Sequence, residues 1–284
     1  MKVVLFCGGY GMRLREYSES IPKPMVNIGS RPILWHVMKY YAHFGHKDFI
    51  LCLGWQANAI KQYFLNYDEC ASNDFVLTSG GDSVRLLGCD IRDWSITFVD
   101  TGTASSIGQR LKRVEPLLAG EDTFLANYSD GLTDLHLPDL INLHHSRNAV
   151  ASFLSVKPTQ SFHMVKADDQ GRVQKIKPIT EAGVLMNGGF FVLDQEIYSL
   201  LHEGEELVEE PFSRAMDAGR LATLKYDGFW SCMDTYKEKQ ALDDRVVRGD
   251  TPWELWKQPS APGESALPMP QGGWPSDVQV PTPG

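Results

Sequence analysis

The start of the chain constrains its fold more than any other stretch. Lys2-Val3-Val4-Leu5-Phe6-Cys7 is apolar on consecutive positions and stops at Gly8-Gly9. A strand with one wet face alternates apolar and polar residues. A strand apolar on both faces is covered on both, as in parallel sheets. A helical stretch at 33–44 and a second apolar run, Asp48-Phe49-Ile50-Leu51-Cys52-Leu53, follow. Strand, glycine loop, helix and strand in that order predict a doubly wound α/β sheet. Residues 57–66 read as helix, and 96–99 and 123–126 as further strands. Ligands of open parallel sheets collect at the carboxyl ends of strands, where Gly8 and Asp130 both fall.

With 284 residues the chain can build one large core. Residues 67–93 are weakly patterned around Gly80-Gly81 and read as an insertion or mobile loop. From 149 the pattern turns strand-rich, at 150–156, 164–167, 173–176 and 189–193, which predicts an antiparallel region. From Lys257 to the end Pro, Gly and Ser dominate, and a disordered tail is expected over 257–284.

Acidic residues outnumber basic ones 36 to 27, for a formal charge of −9. That opposes nucleic-acid binding, which needs a basic face, but a few local Lys and Arg can still hold a small anion. Cys7, Cys52, Cys70, Cys89 and Cys232 are odd in number and scattered, without a CxxC pair. Neither a zinc site nor a disulfide framework is expected. The first residues lack a signal-peptide pattern, and no apolar run nears the roughly 20 residues that span a bilayer. A cytoplasmic protein without a membrane partner is expected.

Two segments invite chemistry. Gly8-Gly9-Tyr10-Gly11-Met12-Arg13-Leu14 follows the first strand. Such glycines let backbone N–H groups approach a phosphate, and Arg13 adds a fixed charge. A tight strand-to-helix turn would use the same glycines. The spacing fits neither the GxGxxG of a dinucleotide fold nor a Walker loop, which disfavours a nicotinamide oxidoreductase. Next comes Ile21-Pro22-Lys23-Pro24-Met25-Val26, whose prolines fix where Lys23 projects.

Together these segments resemble the sugar-1-phosphate nucleotidyltransferases. Further matches follow in the family's order: Val99-Asp100-Thr101-Gly102, Gly108-Gln109-Arg110-Leu111-Lys112-Arg113, Ser129-Asp130-Gly131, Met186-Asn187-Gly188-Gly189-Phe190-Phe191 and Cys232-Met233-Asp234-Thr235. The branch most resembled is glucose-1-phosphate cytidylyltransferase, over about residues 1–256. The resemblance implies a Rossmann-like, doubly wound mixed sheet of the GT-A-like type. One domain would then comprise a nucleotide half, about 1–148, and a small strand-rich acceptor-binding half, about 149–256.

It also implies a reaction. The acceptor's phosphate attacks the α-phosphorus of CTP, pyrophosphate leaves, and a CDP-linked product forms. Anions must crowd together, so the site must supply positive charge. By resemblance Arg13, Lys23 and Asp130 carry catalysis. Gly8, Gly9, Gly11, Arg13, Lys23, Thr101, Gly108 and Arg110 bind the nucleotide, and Asp130 and Asp234 hold Mg2+. Without the resemblance, Asp130 would read as a turn former before Gly131 and Asp234 as a helix N-cap. A homo-oligomer is implied as well.

His163, Ile176, Lys177, Asn187 and Gly188 fall where the acceptor would sit, and two of them depart from the family. Ile176 stands where a sugar-binding Glu is usual, and His163 where Gly is usual. A lost hydrogen bond to a substrate hydroxyl costs about 1–3 kcal/mol, enough to change substrate choice. The acceptor is therefore expected to differ from glucose 1-phosphate, as a modified sugar phosphate or a smaller phosphorylated or phosphonate compound. Met12 replaces the Thr or Ser usual in the glycine loop, which predicts altered nucleotide affinity. The competing reading is a non-catalytic, nucleotide-binding regulatory paralogue of the same fold.

Overall fold

The computed structural model describes residues 1–9, 21–159 and 162–257. The expected glycine loop from Tyr10 onward, with Gly11, Met12 and Arg13, and the expected tail beyond Lys257 lie outside the described residues. Lys257 itself closes a short 3-10 turn, Leu255–Lys257, and pairs with Glu254.

Strand β1 (Val3–Phe6) is fully buried. Val3 and Leu5 enter one hydrophobic cluster and Val4 and Phe6 a second, on opposite sides of the sheet. This is the two-faced burial that the apolar run demands. Helix α1 (Ile33–His43) covers the first face with Ile33, Leu34, Val37, Met38 and Tyr41. The chain continues through β2 (Asp48–Leu53), α2 (Ala57–Leu65), β3 (Ser95–Asp100) and α3 (Ile107–Val114). Leu111 and Val114 of α3 pack on the second face. β1 pairs in parallel with β2, and β2 with β3.

The chain then crosses back. β4 (Thr123–Tyr128) pairs in parallel with β1 on its other edge. A doubly wound sheet has its ligand crevice where the winding direction reverses, and here that point lies between β1 and β4. The Ser129 hydroxyl, just past β4, donates to the Phe6 carbonyl at 2.9 Å and ties the two strand ends together. After β5 (Gly131–Thr133) and α4 (Leu137–Ser146), β6 (Ala151–Val156) joins the same sheet.

The strand-rich region therefore divides. β7 (His163–Ala167) and β8 (Val173–Pro178) form a separate antiparallel ladder. β9 (Met186–Asn187) and β10 (Phe191–Asp194) pair antiparallel with β6, and β10 also with β4. α5 (Glu210–Asp217) leads to β11 (Leu221–Tyr226), which is parallel to β6. The expectation of an antiparallel region holds for the β6, β9 and β10 pairings and for the β7–β8 hairpin. It fails for β11, which extends the central sheet in parallel. β12 (Trp230–Cys232) and α6 (Tyr236–Arg248) follow.

Residues 67–93 carry more structure than their pattern suggests. Phe75–Thr78 and Ser83–Leu86 pair as a hairpin. Asp90 is buried and accepts from Tyr67 Oη, from Lys39 Nζ at 2.5 Å and from Trp35 Nε1 at 3.2 Å. One carboxylate thus pins the segment to α1, a contact that periodicity cannot reveal.

Candidate active site

β5 and β12 pair antiparallel, with Gly131 opposite Cys232, and the Met233 N–H donates to the Asp130 carbonyl at 3.0 Å. Asp130 precedes one strand and Asp234 follows the other, so this short ladder brings two distant carboxylates to the same end. Lys23 enters from a 3-10 turn, Lys23–Met25, whose Pro24 is buried. Its ammonium donates to Asp130 Oδ2 and, at 2.5 Å, to Asp234 Oδ1. Burial alone would lower the lysine's pKa. The Asp130 and Asp234 carboxylates outweigh burial and hold it above its ordinary value.

Asp234 does not cap the following helix. Thr235 does, accepting from the Glu238 N–H at 3.3 Å, while Glu238 accepts from the N–H groups of Thr235 and Asp234, both at 2.8 Å. The capping box takes over the local role and leaves the Asp234 carboxylate turned toward Lys23.

At the ends of β1, β2 and β3 a second device assembles. Arg110 of α3 is only 2% exposed. Its guanidinium donates to Thr101 Oγ1 at 2.7 Å and to the carbonyls of Gly8 at 3.0 Å, Leu53 at 3.2 Å and Thr103 at 3.3 Å. Thr101 in turn donates to Leu53 O at 2.7 Å. Arg110 thus acts as a strut between three strand ends. Gly8 is needed for it, since a Cβ there would lie 1.9 Å from the guanidinium. Gly108 packs so closely on the Glu205 carbonyl that a Cβ would come within 2.3 Å. Beside Gly8 and Gly9 opens a cavity of about 280 Å³, walled by Thr103, Ile107, Arg110 and Glu206.

The five acceptor-side residues separate into two groups. Asn187 and Gly188 sit on the central sheet: Asn187 Nδ2 donates to Tyr128 Oη at 3.4 Å, and the Gly188 carbonyl accepts from Trp230 Nε1 at 2.9 Å. His163, Ile176 and Lys177 lie on the β7–β8 hairpin. His163 faces Pro178 and Ile176 faces Val165, so the two departures share one face of the ladder. Both are exposed, whereas the Lys177 ammonium donates to the Glu181 carbonyl at 2.6 Å.

A family model for nucleotidyl transferases matches residues 2–235. The chain belongs to that family. It is 36% identical over 258 residues to a protein of Bacillus subtilis named "Probable glucose-1-phosphate cytidylyltransferase", covering 90% of this chain and all of that one. It is equally identical over 259 residues to the glucose-1-phosphate cytidylyltransferase of Salmonella typhi, again 90% and 100%. Among solved structures, a putative glucose-1-phosphate thymidylyltransferase from Bacillus anthracis superposes with a TM-score of 0.62. It shares 16% identity over 86% of this chain and 94% of that one. A UDP-glucose pyrophosphorylase complexed with UDP-glucose gives 0.64 at 14% identity, over 87% and 98%. These two establish a shared fold, and the transferase is an enzyme by family.

Several residues around the candidate site escaped the sequence reading. A Cβ on Gly54 would lie 2.6 Å from the Gly8 carbonyl, so the β2 end must also be bare. The Leu53-Gly54 step after an apolar run carried that signal. Glu206 accepts from the Ile107 N–H at 3.2 Å and faces the cavity from a distant loop. Asn127 is buried at the end of β4, where an amide in an apolar strand was the clue.

Proposed function

We propose that this transferase moves a cytidylyl group from CTP to a sugar 1-phosphate or a related phosphorylated acceptor, with Mg2+, releasing pyrophosphate. The observation that carries the reading is the convergence of Lys23, Asp130 and Asp234 beside the β1–β4 crevice.

The donor set fits a magnesium ion. Two carboxylates from remote segments already converge on one cation, the Lys23 ammonium. Among the described residues no cluster of three or more His, Cys, Asp or Glu offers a full protein cage. Mg2+ commonly takes one or two carboxylates and completes its shell with water and phosphate oxygens. Asp130 and Asp234 would hold it; when bound, it would neutralise phosphate charge around the reacting phosphorus.

The chain's own groups supply the remainder. Lys23, released from the carboxylates, would place its ammonium against phosphate oxygens and offset the repulsion between nucleotide and acceptor. The cavity beside Gly8 and Gly9 would take the nucleoside, with the Arg110 strut keeping its floor rigid. Asn187 and Gly188 would border the acceptor, and the hairpin carrying His163, Ile176 and Lys177 would close over its far side. With Ile176 in place of a carboxylate, an acceptor poorer in hydroxyls than glucose 1-phosphate suits this wall. CTP as donor rests on the 36% identity to named cytidylyltransferases. A cytoplasmic homo-oligomer remains part of the proposal.

Pyrophosphate release tests the reading directly, using each of the four nucleoside triphosphates, Mg2+ and a panel of sugar 1-phosphates and smaller phosphorylated or phosphonate acceptors. The expected result is turnover with CTP that depends on both Mg2+ and an acceptor. Nucleotide binding without turnover on any acceptor would support the regulatory paralogue.

A further inference from the structure

The strand that borders β6 is broken. Ser152 pairs with Val192 and Ser155 with Asn187, so three steps along β6 span five along its partner. Two extra residues are absorbed at Gly188-Gly189-Phe190. Gly189 has φ 75° and Phe190 φ 55°, both left-handed, a conformation that an aromatic residue holds only when its surroundings impose it.

Asn127 imposes it. The residue is 1% exposed at the end of β4, one position past the last β4–β10 ladder pair, Ala126 with Phe191. Its Oδ1 accepts from the Phe190 N–H and from the Tyr128 N–H, both at 2.9 Å. The side chain thus gives the Phe190 N–H an acceptor in place of the Leu154 carbonyl of β6, which accepts from the Gly188 N–H at 2.7 Å instead. A Cβ on Gly189 would lie 2.5 Å from this oxygen, so the fit is close enough to exclude any other residue there. Its Nδ2 lies on the side of the buried Tyr41 hydroxyl, so the oxygen is the atom that meets the broken strand.

We infer that Asn127 is a positioning residue for the acceptor side of the site. Its oxygen holds the break that sets Asn187 against Tyr128 and turns the Gly188 carbonyl to Trp230. It acts on the acceptor through this wall and is not among the described residues that line the cavity beside Gly8. This inference rests on the proposed role of Asn187 and Gly188.

The test uses the full chain and two variants. Asn127→Leu keeps the shape and removes the oxygen, whereas Asn127→Asp keeps an oxygen for the two N–H groups. Hydrogen exchange of the amides at 188–191 reports the break itself. KM values for CTP and for the acceptor phosphate report its effect. The Leu variant should raise exchange there and the acceptor KM by about tenfold or more, with the CTP KM within about threefold, and the Asp variant should restore both. Unchanged exchange, both KM values rising together, or an Asp variant no better than Leu would overturn the inference. If the wild-type enzyme turns over no acceptor at all, the functional reading fails separately, and exchange alone decides whether Asn127 holds the strand.

Discussion

The cation end and the hairpin end of this site are built on opposite principles. Lys23, Asp130 and Asp234 stand on segments locked by ladder bonds, a buried proline and a capping box. Nearby, Arg110 binds three strand ends through four oxygens. The β7–β8 hairpin is exposed along nearly its whole length, with Val165, Val173 and Ile176 open to solvent. On the proposed reaction, one region fixes charges where phosphates would meet, and a small error there would cost rate. The other can change residues at little cost to folding. Under the proposed function, the contrast divides chemistry held by the core from substrate choice left to the periphery.

The division breaks or sharpens under targeted substitutions. Asp130→Asn or Asp234→Asn should cut turnover by on the order of 10³-fold while the fold survives, read as initial rates of pyrophosphate release. Arg110→Met should lower unfolding free energy by about 3 kcal/mol or more in denaturant titrations, because buried carbonyls lose their donor. Arg110→Lys should not restore it, since one ammonium cannot span the four oxygens.

His36 of α1, buried in the core with its ring nitrogens 3.1 Å from the Ile28 carbonyl and 3.3 Å from Trp253 Nε1, tests the core by pH. Burial lowers its pKa from 6.5 to about 4. The unfolded chain then binds a proton between those values that the folded chain refuses, so stability falls as pH drops from 6.5 toward 4. The loss approaches about 3 kcal/mol, and His36→Gln should flatten that part of the profile. The smallest stability effect belongs to the hairpin. Ile176→Glu and His163→Gly should each shift the melting free energy by no more than about 0.5 kcal/mol. Both should move acceptor preference about tenfold toward hydroxyl-rich sugar phosphates. Unfolding by either hairpin change would erase the contrast.

The central sheet was legible because its strands are apolar on both faces, and two-faced burial has few other solutions. Asp130 stood out at a strand's carboxyl end, but its pairing with Asp234 was read only through motif resemblance. The ladder that joins them, Gly131 opposite Cys232, leaves no periodic trace across so long a separation. Arg110 lay in a recognised motif, yet its aim at backbone carbonyls depends on strand ends that only the fold brings close. The partners of Asn127 and Asp90 were invisible for a related reason. An amide in an apolar strand marks Asn127 as unusual, but neither residue's sequence position says which remote groups it bonds.

Anomalous diffraction from crystals grown with CTP and Mn2+ tests the central claim most directly. The account predicts one metal peak shared by Asp130 and Asp234, with the Lys23 ammonium moved from the carboxylates onto phosphate oxygens. A nucleotide bound with its metal elsewhere, and Lys23 still bridging both aspartates, would contradict it.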